Sequence, residues 1–198
     1  MEGILKQTVK DFSKVNEIIQ TIIIALLAFL VPTFLAQLLK IIFGETSAIA
    51  SNSQLIIGSI VNTALVVAAL NIKGWSKIIP IVTMPSISTI ISGYVFKSAS
   101  VFMVYMIPAI WIGNFALILA FKYIMIKNNK NYFLSGAIGI ICKVAIIFGF
   151  FIILKAFNVF PEKLVSNLQN AMSIIQLITA TIGCIIAFAI YKVERIKR

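Results

Sequence analysis

A chain of 198 residues that is 61% hydrophobic and only 12% charged has too little polar surface for a water-soluble globule, and it reads as an integral membrane protein. Its formal net charge of +11 does not point to nucleic acid, because the basic residues punctuate apolar segments instead of forming a patch with interleaved aromatics. There is no histidine, the two cysteines (Cys142 and Cys184) lie inside apolar runs, and no carboxylates cluster, so no cofactor and no protein-bound metal is expected.

The expected architecture is all-α, with six transmembrane helices and both termini cytoplasmic. It divides into a cytoplasmic or interfacial lead (1–17), a single six-helix domain (18–191) and a basic cytoplasmic tail (192–198). In the lead, Leu5, Val9 and Phe12 recur at helical spacing among Lys6, Lys10 and Lys14, which suits a short helix on the membrane surface. Ala48-Ile49-Ala50 has the form of a signal-cleavage box. The apolar run before it, 18–43, is much longer than a signal core of ~7–15 residues, so it reads as a retained first span. Pro32 removes one backbone donor there and predicts a bend or local opening. Thr21, Ala25 and Ala28 lay small side chains along one face, where another helix can approach closely.

A polar loop, 44–53, precedes span two (54–70), which carries Asn62 near its middle. Span three (78–96) is the least regular, with Pro80, Pro85 and the hydroxyls of Ser86, Ser88, Thr89 and Ser92. Those hydroxyls serve either backbone groups freed by proline or a polar cavity. Span four (101–126) contains Tyr105, Pro108, Trp111 and Asn114. Span five (133–154) contains one charge, Lys143. A second polar loop, 158–170, holds a short amphipathic helix after Pro161, and span six (171–191) carries Gln176, Thr179 and the small-residue spacing Gly183 to Ala187.

At ~1.5 Å rise per residue, Lys143 lies roughly 15 Å deep, about halfway through a ~30 Å hydrocarbon core. All six acidic residues fall outside the apolar segments or at their ends. Lys143 therefore bonds to neutral oxygens or snorkels, loses its proton, contacts a helix of another subunit, or awaits an anionic ligand. Asn114 lies at a similar depth and Gln176 nearer the outer face, so the three side chains either glue helices singly or share one cavity.

Twelve basic residues fall on the side of the termini and the 2–3 and 4–5 turns, and four on the other side. The positive-inside rule thus places both termini in the cytoplasm and the two longer polar loops outside. The chain has no phosphate-binding loop and no carboxylate or histidine within a span, so it lacks the parts of an ATPase, a proton pump or an intramembrane protease. It is not expected to be an enzyme.

Pro108-Ala109-Ile110-Trp111-Ile112-Gly113-Asn114, Gly139-Ile140-Ile141-Cys142-Lys143 and Gln176-Leu177-Ile178-Thr179-Ala180-Thr181-Ile182-Gly183 carry a resemblance that covers most of the chain from about Gln54 onward. On these stretches the sequence resembles the substrate-binding S components of energy-coupling factor (ECF) transporters, small six-helix membrane proteins with cytoplasmic termini. The resemblance implies a multi-pass protein of the cell membrane that captures a vitamin or similar micronutrient near the outer face. It also implies a transmembrane coupling subunit and two cytoplasmic ATPase subunits that drive toppling and release. Lys143, Asn114 and Gln176 are the expected substrate-binding residues, with Trp111 or Tyr105 supplying a ring face. Family members dock on the coupling subunit through Ala-x-x-x-Ala in the first span; the nearest equivalent here is Thr21-x-x-x-Ala25, followed by Ala28. The competing reading is a structural or assembly subunit of another membrane complex, with Lys143 a packing device.

Overall fold

The computed structural model describes residues 2–44, 47, 49 and 52–196, with side chains described from Val15 to Val193 within those limits. Most of the loop after the first helix, including Ala48 and Ala50, lies outside the described residues, as do Lys197 and Arg198 and the side chains of the basic lead.

The described chain is all-helical. Helix α1 spans Glu2–Phe43, α2 Ser53–Asn71 and α3 Trp75–Ser92. Helix α4 is a composite over Lys97–Lys127, followed by α5 (Tyr132–Ala156), the short α6 (Glu162–Met172) and α7 (Ile174–Ile196). Among the described residues, five segments are long and apolar enough to cross a bilayer: Val15–Phe43, Ser53–Asn71, Lys97–Lys127, Tyr132–Ala156 and Glu162–Val193. The chain is a multi-pass membrane protein. The exception among the expected spans is α3, whose Lys77, two prolines and run of serines and threonines dilute its apolar content.

The expected surface helix and first span are one uninterrupted helix, and α1 continues through Pro32. Helix α3 stops at Gly93, whose left-handed φ of 67° ends it before the residues that the hydrophobic pattern had carried to Phe96. In α4, Pro108 lacks the N–H that would bond back to Val104, and the helix tightens to a 3₁₀ turn over Val104–Met106 before resuming at Ile107. Its final stretch, Phe121–Lys127, widens into a π-helical turn. The amphipathic helix expected after Pro161 is α6, which buries Leu164, Leu168, Ala171 and Met172.

The helices pack as three principal pairs, α2 with α7, α4 with α5, and α1 with α3. The α2–α7 crossing depends on Gly183: a Cβ there would stand 2.5 Å from Asn62 Cβ and 2.9 Å from the Thr63 nitrogen. Two apolar clusters form at separate levels. One joins Leu65, Val66, Val82, Leu117, Phe121 and Ala187; the other joins Met103, Met106, Ile147, Phe151, Phe160 and Leu168.

Candidate functional site

Lys143 on α5 is only 3% exposed, and its ammonium donates to Asn62 Oδ1 on α2. The Asn62 amide is fixed by its other end, since Nδ2 donates to the Gly58 carbonyl (2.8 Å) and to Thr179 Oγ1 on α7 (3.3 Å). A buried polar chain thus ties α5, α2 and α7 together. Lys143 takes a neutral oxygen as partner, one of the readings left open by the sequence. An ammonium carries three donors, and Asn62 is its one hydrogen-bond partner among the described residues.

Asn114 on α4 is also 3% exposed. Its Nδ2 donates to the Val82 carbonyl on α3 (3.2 Å), which fixes the amide, because a flipped Oδ1 would face another acceptor. Its Oδ1 is buried without a partner among the described residues. Such an orphan in an apolar interior costs about 1–3 kcal/mol, which makes it a position to be explained.

Asn62, Asn114, Lys143 and Gln176 line one cavity of about 80 Å³. Its walls are Ile57, Gly58 and Val61 of α2, Pro85 and Ser86 of α3 and Ile110 of α4. Val95 and Phe96, in the turn between α3 and α4, complete the lining with Gln54 and Thr89. That turn is bounded by two left-handed residues, Gly93 (φ 67°) and Lys97 (φ 51°), the second an uncommon conformation for a side chain with a Cβ. The lining draws on the first turns of α2 and α7 and the last turns of α3, which adjoin the segments of the chain poor in basic residues.

The structure therefore brings Lys143, Asn114 and Gln176 together. Trp111 flanks the cavity without lining it: its indole N–H donates to Ser86 Oγ at 2.8 Å and so holds a wall residue. Tyr105 is a correction. It is 54% exposed and outside the cavity, because nine residues are two and a half helical turns and place it on the face opposite Asn114.

The α3 hydroxyls also differ from one expectation. Prolines 80 and 85 free the carbonyls of Ser76 and Ile81, yet Thr83, Ser86, Thr89 and Ser92 bond to Ile79, Thr83, Ser86 and Thr89 carbonyls instead. Ser86 and Thr89 line the cavity as well. Asn62 is the residue that sequence reasoning left out of the site, although an amide at the centre of an apolar span was a visible signal.

Thr21, Ala25 and Ala28 are half-buried on the stripe of α1 that packs against α3, whereas Ile22, Ile23, Leu26 and Leu30 on the other side are exposed. Ala28 shares an apolar groove with Ile60, Ile81 and Pro85 of this same chain. Small side chains permit close helix approach, and within the molecule the helix beside this stripe is α3.

Comparison of the chain with protein-family models, with curated proteins and with solved structures gives no match.

Proposed function

We propose that the chain is the membrane-embedded substrate-capture subunit of an ECF-type, ATP-driven importer of a vitamin-like micronutrient, and that its ligand binds in the cavity floored by Lys143, Asn62 and Asn114. The observation that carries this reading is unspent hydrogen-bonding capacity around a buried space: an orphan acceptor, an ammonium with one partner, and the Gln176 amide on the same wall. In this reading α3 is the sixth span and both termini are cytoplasmic, following the basic residues. The cavity then faces the outside, and Lys143 offers positive charge to an anionic or strongly electronegative ligand in a site of weak screening.

At about 80 Å³ the cavity is smaller than the ~300–1,000 Å³ of typical small-molecule pockets. It receives the head of a ligand, with displacement of the Val95–Phe96 turn admitting the rest. The chain has no phosphate loop, so a transmembrane coupling subunit and two cytoplasmic ATPase subunits supply the energy. The exposed side of α1, not its small-residue stripe, is the surface left for the coupling subunit.

Native mass spectrometry of the gently purified protein tests the reading: a retained small molecule, with ATPase subunits co-purifying, is the expected result. A chain that retains nothing and assembles with no ATPase is instead a structural subunit of another complex.

A further inference from the structure

From the orphan acceptor of Asn114 we infer that the ligand is not a bare anion: it is an organic anion that carries an O–H or N–H donor beside its charge, such as a hydroxyl- or amide-bearing carboxylate. This deepens the capture reading and rests on it.

The two ends of the recognition are set by groups that cannot exchange roles. As an ammonium Lys143 only donates, and its hydrogen bond to Asn62 leaves donors directed to no oxygen among the described residues. Asn114 Oδ1 can only accept, since its amide is locked by the bond from Nδ2 to Val82. Both atoms belong to side chains only 3% exposed, and both side chains line the same cavity. A simple carboxylate satisfies Lys143 and leaves Asn114 Oδ1 unpaired. A donor on the same molecule removes that defect. Discrimination of this kind is strong because the analogue without the donor leaves a buried polar group unpaired. The competing occupant is water: at ~30 Å³ per molecule the space holds roughly three.

The test uses the full-length protein in lipid nanodiscs and three small probes: glycolate, acetate and methoxyacetate. Affinity is read by calorimetry and by ligand-dependent thermal unfolding. Glycolate is expected to bind at least about tenfold more tightly than either acetate or methoxyacetate, whose donor is missing or blocked. Asn114→Leu is expected to level the three, and Lys143→Met to abolish all binding. Equal affinity of wild-type protein for the three probes overturns the inference, as does an unchanged glycolate preference in Asn114→Leu; the wild-type comparison decides the matter if that variant does not fold. If none of the probes binds, the molecule retained in native mass spectrometry decides. A retained anion with an adjacent donor supports the inference, and one without a donor overturns it while leaving the capture reading intact. A protein that binds no probe and retains no molecule loses both.

Discussion

A lysine at the centre of an apolar helix is costly, and the structure offsets the cost with an amide oxygen, not a carboxylate. Two opposed effects follow from Lys143→Met. It leaves Asn62 Oδ1 without its donor, at a cost of about 1–3 kcal/mol, and it removes a desolvated cation, a gain of several kcal/mol. The second is the larger, so thermal stability is expected to hold or rise. Ligand affinity, measured by calorimetry on the molecule identified by mass spectrometry, is expected to fall by about 2 kcal/mol or more. Lys143→Arg restores little of it, because a planar fork does not replace a compact ammonium. Unchanged affinity in Lys143→Met would make the residue a packing device. Lys143, Asn114 and Gln176 were legible as a set because depth along a helix follows from residue count. Asn62 was visible as a mid-span amide, but its place in the set was not, since that depends on which helix stands beside α5. Tyr105 failed on rotation: depth was counted along α4 and angle around it was not.

At the level of helices, the hydrophobic runs fall on helices, but their partners are not written in them. In lipid the contact faces of helices are chosen by small residues and shape, not by an apolar stripe against a polar one. The spacing Gly183 to Ala187 marked one such face, and that face meets α2. Gly183→Ala places a methyl against Asn62 and the α2 backbone and is expected to lower stability by about 1–3 kcal/mol. A matching melting temperature for this variant in detergent would show that the crossing is looser than described. The half-buried stripe of α1 gives a paired test. Ala25→Trp, on the side turned to α3, is expected to lower the melting temperature, whereas Leu26→Trp, at a position 53% exposed, is expected to leave it unchanged. Equal effects would detach α1 from α3.

For the molecule as a whole, α3 decides the topology. If it crosses the bilayer, six spans return both termini to one side; if it does not, five spans place them on opposite sides. The distribution of basic residues favours six. Reporter fusions after Asn128 and at the carboxyl end are expected to read as cytoplasmic, and fusions within 45–53 and 162–170 as external. An external reading at the carboxyl end with a cytoplasmic amino end would remove α3 from the spans and turn the cavity away from the assigned side. Composition alone fixed the membrane class, because 61% hydrophobic residues leave no soluble alternative.

The pairing of α2 with α7 has a consequence for how the chain is made. Asn62 and Thr179 are 117 residues apart, and Asn62 and Lys143 are separated by 81. At ~5–20 residues per second of synthesis, roughly 6–23 s pass between the emergence of Asn62 and that of Thr179. Until Lys143 emerges, 81 residues after Asn62, the second helix holds a polar side chain in the membrane with neither of its final interhelical partners translated, and until Thr179 emerges it still lacks one of them. Integration of the early helices and closure of the buried polar chain are therefore separate events, and α7 is the helix that closes it.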